Sequence, residues 1–435
     1  MTEGSQVYDA IVIGAGLAGL TAGLRLQQEG LRVLMLERLD VAGGLCGTRV
    51  LDGYEFVIGS NDFGTGLERE LRSLGVQVGF KKVKSRFTFE REVYEFPLTS
   101  RTVLTLLRHA VDAVRVGRAL SNPSVSERYE YLEPLVDGCV KSPDFGDFVK
   151  ALAYAYSRKP ADLRLDEFKA SFSKEYAYGY DQSIIPEGGP GVLIQKMVER
   201  FEALGGVLAL RTECTGLSSQ GALKAVSTSG GEYLARYVIS SEGRWGKFPA
   251  DAKPGLALGM FHLAVKKSLP FPKGFHTLAW FPPHTSGWFD SLDAGALPEA
   301  FGFHLFASDL PSKPDYYAIN LYLPFPRGLD ELSAEQRLRV ERYVLEKAER
   351  LLPGLQSALL YKRFVSPKQY QELHGLSSSA VPAFTKAPFQ KPESYDPERG
   401  VFHVGNSVSP PCEHAGAAVV SGRMAAEAVI RSARA

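Results

Sequence analysis

Apolar positions in this chain repeat with two periods, and the change from one to the other divides it. A run of strand length, Ala10 to Ile13, is followed by a Leu- and Ala-rich stretch at helical spacing and then by a second apolar run, Val33 to Leu36, ending on Glu37. Strand, helix, strand is the βαβ unit of a parallel sheet. Residues 49–64 read as two short strands around Asp52-Gly53, a hairpin signal, running into a loop of small polar residues in which Ser60 to Phe63 are candidates for lining a site. From Arg101 to Leu120, the apolar residues Val103, Leu106, Leu107, Ala110, Val111, Val114 and Leu120 recur at helical spacing, with Arg101, Arg108, Arg115 and Arg118 supplying charge. A basic amphipathic helix is expected there, suited to solvent or to an anionic bilayer.

Residues 125–180 read as helical and tyrosine-rich, with most of the tyrosines expected in the core. A glycine-rich turn at 188–191 opens a helix over Val192 to Leu204, and strands are expected at Val207 to Leu210 and at Arg236 to Ser241. Between about 255 and 390, alternating strands with many aromatics point to a sheet with one apolar face, able to wall an apolar cavity. Glu335 to Leu352 reads as a charged amphipathic helix. His374 falls in a Gly- and Ser-rich stretch, where a surface or capping role is expected. Near the C-terminus an apolar strand, Gly400 to Val404, runs into a Gly405-Asn406 turn, and a helix is expected from about Ala415.

The turn after the first strand carries the first chemistry. Gly14 permits a tight exit from the strand, Gly16 lets backbone close on a pyrophosphate, and Gly19 lets the helix pack against the strand. The helix N-terminus favours negative charge. Glu37, at the end of the second strand, is positioned to accept hydrogen bonds from ribose hydroxyls and would repel a 2′-phosphate. A second glycine cluster follows at once (Ala42-Gly43-Gly44-Leu45-Cys46-Gly47), so backbone again approaches something closely.

GxGxxG with the acid, followed by a GG segment, resembles the two-dinucleotide-binding-domain flavoproteins: phytoene desaturases, protoporphyrinogen oxidases and flavin amine oxidases. The block Pro186-Glu187-Gly188-Gly189, its helix, Gly205-Gly206 and strand, and the C-terminal strand–loop–helix extend the resemblance over the whole topology. The Arg of the usual RxGGR form is missing before Gly43-Gly44. The resemblance implies an α/β fold: a Rossmann-like FAD-binding domain, a parallel sheet with a small antiparallel β layer, plus an α+β substrate domain with a mixed sheet and a helical layer. The expected division is 1–90, 181–250 and 391–435 for the FAD-binding domain, and 91–180 with 251–390 for the substrate domain. It further implies that FAD is held by Gly14, Gly16, Leu17, Ala18, Gly19, Glu37, Arg38, Gly43, Gly44, Leu45, Gly405, Asn406, Gly416 and Ala417. When the C-terminal helices are aligned by Ser421-Gly422, the position that amine oxidases fill with an aromatic falls on His414. Glu413 and His414 are the expected catalytic groups, and with Cys412 offset from the covalent attachment position the FAD is expected to be noncovalent.

Composition narrows the partners. The 435 residues carry 50 Lys plus Arg against 49 Asp plus Glu, which argues for a small-molecule partner and against nucleic acid. Cys46, Cys139, Cys214 and Cys412 have no CxxC spacing, so no metal site or disulfide framework is expected. MTEGSQVYD lacks the features of a signal peptide, and a cytoplasmic protein, peripheral to a membrane at most, is expected. With one dinucleotide fingerprint, electrons are expected to come from the organic substrate and leave to dioxygen, a quinone or another acceptor. The reading is an FAD-dependent desaturase or dehydrogenase taking a hydride from an apolar, isoprenoid- or polyene-like substrate. Its alternatives are amine oxidase-like or protoporphyrinogen oxidase-like oxidation of a C–N or C–C bond, and, without redox chemistry, a prenyl-binding protein on the same fold such as the Rab GDP-dissociation inhibitors.

Overall fold

The computed structural model describes residues 7–122, 128–170, 172–241, 253–308, 310, 315–374, 383–384, 391–412 and 414–435. Two sheets organise them. The first has eight strands: six run in the order Val207–Ala209, Val33–Leu36, Val7–Ile13, Gly231–Ser240, Leu223–Thr228 and Cys214–Gln220, and Val401–His403 and Tyr395–Asp396 join from the side. Val7–Ile13 pairs in parallel with both Val33–Leu36 and Gly231–Ser240. The long strand Gly231–Ser240 changes partners along its length. Its first half pairs antiparallel with Leu223–Thr228, while Val238 to Ser240 pair in parallel with Val401–His403. The parallel sheet and its antiparallel layer therefore share one strand, and the last strand of the chain closes against it.

Helices Leu17–Gln28, Gly189–Ala203 and Ala415–Arg434 cover the parallel part. Leu20, Leu24, Met197, Phe201, Ala426 and Val429 share one core with Val12 and Met35. The N- and C-terminal helices meet at bare backbone: a Cβ on Gly422 would lie 2.2 Å from the carbonyl oxygen of Ala18.

The second sheet has seven strands, ordered Leu359–Val365, Leu258–Lys266, Tyr316–Pro324, Phe303–Ser308, Phe275–Phe281, Lys84–Phe89 and Val93–Phe96. Lys84–Phe89 pairs in parallel with Phe275–Phe281, so residues 84–90 belong to this sheet and not, as expected, with the first. Helices at Leu132–Cys139, Pro143–Ala151 and Thr285–Asp293 form the layer over it. Helix Ala334–Leu351 begins with a full capping box, Ser333 and Gln336 exchanging side-chain and backbone bonds.

Local expectations held where the signal was local. The hairpin Thr48–Leu51 and Tyr54–Val57 turns at Asp52 and Gly53, with φ of 49° and 86°, the left-handed pair that a two-residue turn of this kind requires. Two expectations are corrected. His374 is not in a surface loop: it ends the helix Pro367–His374, is 2% exposed, and meets Tyr370 edge to face with ring centroids 4.5 Å apart. The stretch 101–120 is two helices, Ser100–Arg108 and Ala110–Ser121, and most of its apolar residues face outward.

The second sheet and its surroundings bury several histidines in their neutral form. Burial lowers His262 to about 4, against its hydrogen bond to Asn320 Oδ1, and lowers His374 to about 4 and His304 to about 3. Unfolded histidine titrates near 6.5, so below that pH the unfolded chain takes up protons that the folded chain refuses, and stability falls as pH drops from about 6.5 toward 4. Each such group contributes a slope of up to about 1.4 kcal/mol per pH unit. Urea unfolding at pH 7, 6 and 5 should show a midpoint that falls below pH 6.5, more steeply than one proton explains; a flat midpoint would contradict this protonation assignment.

Candidate functional site

The site begins where the first strand ends. Gly14 has φ of 98°, donates its N–H to the Leu36 carbonyl at 2.7 Å, and leaves no room for a side chain, since a Cβ would lie 2.0 Å from Ser241 Oγ. Gly19 is equally constrained: a Cβ there would lie 2.0 Å from the Gly14 carbonyl oxygen. Gly16 differs. Its φ of −79° suits any residue, and a Cβ would meet only the Gly43 carbonyl oxygen, at 3.8 Å. Protein packing therefore explains Gly14 and Gly19 but not Gly16.

Gly16 is also the N-cap of helix Leu17–Gln28, and no side chain caps that helix. Its first turn, Leu17, Ala18 and Gly19, presents N–H groups that lack side-chain partners, the arrangement that receives a phosphate. The GG segment lies against it: Gly43 N donates to the Ala15 carbonyl at 2.8 Å, and a Cβ on Gly44 would meet Gly16 Cα at 3.6 Å. Glu37 is 7% exposed. One carboxylate oxygen accepts the Ala15 N–H at 2.8 Å and the other accepts Leu39 N–H at 3.0 Å. It thus fixes the loop and keeps lone pairs for a further donor. Arg38 is exposed, whereas Leu45 accepts the Ser60 N–H at its carbonyl and so ties the GG segment to the next loop.

The C-terminal segment forms a second wall. Gly405, with φ of 116°, donates its N–H to Ser421 Oγ at 2.8 Å, and nothing lies within 4 Å of where its Cβ would be. His414 is the N-cap of helix Ala415–Arg434: its Nδ1 accepts the Ala417 N–H at 3.1 Å. A ring nitrogen that accepts carries no proton, so the proton of the neutral ring is on Nε2. That Nε2 is buried and has no hydrogen-bond partner among the described residues. Burial, reinforced by Lys391, lowers His414 to about 3. The ring lies 4.6 Å from Tyr178, edge to face, and 4.4 Å from Tyr180. His414 is therefore an uncharged ring, its proton on Nε2, in an aromatic enclosure. Glu413 lies outside the described residues.

Sequence reading missed Lys391. It is 8% exposed, and its ammonium donates to the Asn406 carbonyl at 2.7 Å and to the Cys412 carbonyl. A positive charge and a helix N-terminus thus converge on the loop 405–416. Cys412 is fully buried, its sulfur 3.8 Å from the Glu167 carbonyl oxygen.

The third wall is the loop after the hairpin, pinned to the second sheet by a buried polar chain. Asn61 Nδ2 donates to Tyr322 Oη at 2.8 Å; Asn320 Nδ2 donates to Asn61 Oδ1 at 3.1 Å and to the Val57 carbonyl at 2.7 Å; His262 Nδ1 is 2.9 Å from Asn320 Oδ1. Tyr322 in turn donates to the Gly59 carbonyl, at 3.1 Å. His276, 2% exposed, donates from Nε2 to the Asn61 carbonyl at 2.9 Å. Burial raises Asp62, opposed by His276 and Ser183, and burial lowers His276, opposed by Asp62. Asp62 also raises Tyr180, though less than burial does, which ties this pair to the His414 enclosure. His276 lines a cavity of about 240 Å³ with Ile185, Phe271, Phe275, Ala307 and Tyr317. No signal in the sequence joined Asp62, Tyr180, His276 and Lys391, because each comes from a different segment. Among the described residues no His, Cys, Asp or Glu cluster could hold a metal.

Residues 12–74 match the family model described as an NAD(P)-binding Rossmann-like domain. The chain is 47% identical over 58 residues to the prolycopene isomerase of Arabidopsis thaliana, a match that covers 13% of this chain and 10% of that protein. It is 22% identical to the lycopene-forming phytoene desaturase of a Paracoccus species, covering 92% of this chain and 93% of that one. The structure of cyclohexylamine oxidase from Brevibacterium oxydans superimposes with a TM-score of 0.66 and 16% identity, over 99% of this chain and 100% of the other. With these likenesses and both sheets accounted for, the chain has the fold of the flavin-dependent oxidoreductase superfamily that includes phytoene desaturases and flavin amine oxidases.

Proposed function

We propose that this protein is an oxidoreductase that holds FAD noncovalently and removes a hydride from an apolar, polyene- or isoprenoid-like substrate, forming a C=C bond. The observation that carries the reading is the open cradle at Gly16, beside an uncapped helix N-terminus and the buried Glu37. Gly14 through Gly19 with Gly43 and Gly44 would hold the pyrophosphate, Glu37 the ribose, and Gly405, Asn406, Gly416 and Ala417 the far end of the cofactor. FAD, when bound, supplies a two-electron acceptor for the hydride, and dioxygen, a quinone or another acceptor removes those electrons afterward.

The chain's own groups supply the rest. Lys391 and the N-terminus of helix Ala415–Arg434 favour negative charge at loop 405–416, where an anionic reduced cofactor would need it. His414 donates from Nε2. The pair of Asp62 and His276 accepts the proton that leaves the substrate carbon, and the cavity beside His276, with Ile185, Phe271, Phe275 and Tyr317 on its wall alongside Lys273, receives part of the substrate. The buried Cys412 sulfur, turned to Glu167, favours a noncovalent cofactor. The amine oxidase-like alternative draws on the same fold and on the tyrosines flanking His414, and the two readings differ in product.

Anaerobic mixing with acyclic polyenes should bleach the flavin absorbance and yield a product two hydrogens poorer; peroxide with an aldehyde or imine from an amine would replace this reading by the alternative. Asp62→Asn should keep its FAD and slow reduction by about 10² to 10⁴, the range of general base catalysis; an unchanged rate would remove the pair from the chemistry. His414→Asn keeps a good N-cap acceptor and removes the Nε2 donor. Its reduction rate should fall about tenfold or more with stability held, and a wild-type rate would reduce His414 to a cap.

A further inference from the structure

The helix pair Ser100–Arg108 and Ala110–Ser121 is attached through Thr102, Thr105 and Asp112, with Val116 and Ala119 buried at its far end. Thr102 is fully buried, accepting the Glu95 N–H at 2.6 Å and donating to the Glu95 carbonyl at 3.0 Å. Thr105 is buried, and its hydroxyl donates to the Arg101 carbonyl at 3.1 Å. Asp112 is buried and accepts the N–H groups of Lys141 and Ser142 at 3.1 and 2.9 Å. The apolar side is left in solvent: Leu98 is 60% exposed, Leu104 62%, Leu107 64%, Val111 64% and Val114 51%. From Leu98 to Val114, threonine and aspartate inside with leucine and valine outside reverses the pattern of a helix packed on a soluble core.

Charge selects the occupant. Arg101, Arg108, Arg115 and Arg118 are exposed on the same two helices, and Asp112 is the only carboxylate between residues 98 and 122, already engaged by two backbone N–H groups and by Arg115 at 3.4 Å. A second copy docked symmetrically would press arginines against arginines, with no carboxylate to receive them. We propose that this face docks on the surface of an anionic lipid bilayer, with Leu98, Val103, Leu104, Leu107, Val111 and Val114 entering the acyl boundary and the arginines at the headgroups. Apolar area and cationic charge act together in such binding, and neither helix needs to cross. Among the described residues no helix is long and apolar enough to span a membrane.

The test uses the full chain with vesicles of phosphatidylglycerol and phosphatidylcholine, and with vesicles of phosphatidylcholine alone. Co-sedimentation should favour the anionic vesicles at about 0.1 M salt and weaken toward 1 M, where screening is short-ranged. The exposed side chains can be changed without touching the core, so Leu104→Ser with Leu107→Ser should keep the far-UV spectrum and lower the partition coefficient about tenfold or more. Absence of binding to anionic vesicles, or binding that the double variant leaves unchanged, overturns the proposal. So does a concentration-dependent dimer, seen by light scattering, that the double variant dissolves without any vesicle binding by the wild type.

Discussion

Bare backbone packed on bare backbone is the constraint on which this structure depends. Side chains are excluded at Gly19 by the Gly14 carbonyl and at Gly422 by the Ala18 carbonyl, each at about 2 Å from a would-be Cβ, while Gly14 itself turns at a φ of 98°. These contacts clamp the first helix to its strand on one side and to the C-terminal helix on the other. The N-terminus of that helix is thereby held at the end of the sheet, next to the GG segment and opposite loop 405–416. Gly16 lies within the clamp without contributing to it. The absence of a side chain there leaves space beside the clamp, and that space faces N–H groups lacking a side-chain cap.

A second constraint joins the sheets. His262, Asn320, Asn61 and Tyr322 form an unbroken chain of buried hydrogen bonds from the second sheet to the loop carrying Asp62. Buried polar groups are stable only when satisfied, so the chain holds that loop in one position. The loop's other edge is bonded to the GG segment through Ser60 and Leu45. Displacement of the aromatic sheet would therefore move Asp62 and the GG segment together, which links the wall of the cavity beside His276 to the cradle.

Local signals were legible and remote ones were not. The βαβ unit, the Asp52-Gly53 hairpin and the C-terminal helix are set by residues within a turn or two of each other, and their spacing alone reveals them. Residues 84–90 escaped because their partner, Phe275–Phe281, lies far along the chain. The helices at 100–121 were legible as helices, yet their inner face was not: hydrophobic period predicts burial, and here hydrogen bonds from Glu95, Lys141 and Ser142 hold the polar side inward. Lys391, Asp62 and His276 carry no motif, and only the folded arrangement gives a lysine two carbonyls or a carboxyl a neighbouring imidazole. The role of His414 was half legible. Its position at the helix start follows from the pattern, while its capping bond through Nδ1, which fixes where its proton is, does not.

The central claim is that Gly16 is empty for a ligand and not for the fold, and Gly16→Ala tests it most directly. The residue's φ of −79° accepts alanine, and the added Cβ meets only an oxygen at 3.8 Å. Urea unfolding of the apoprotein should therefore stay within about 0.5 kcal/mol of the wild type, the range of a substitution that meets no special feature. Titration with FAD, followed by quenching of its fluorescence, should show affinity lower by about tenfold or more, equivalent to about 1.4 kcal/mol. FAD bound as tightly by Gly16→Ala as by the wild type, or loss of apoprotein stability with no change in affinity, would contradict the account.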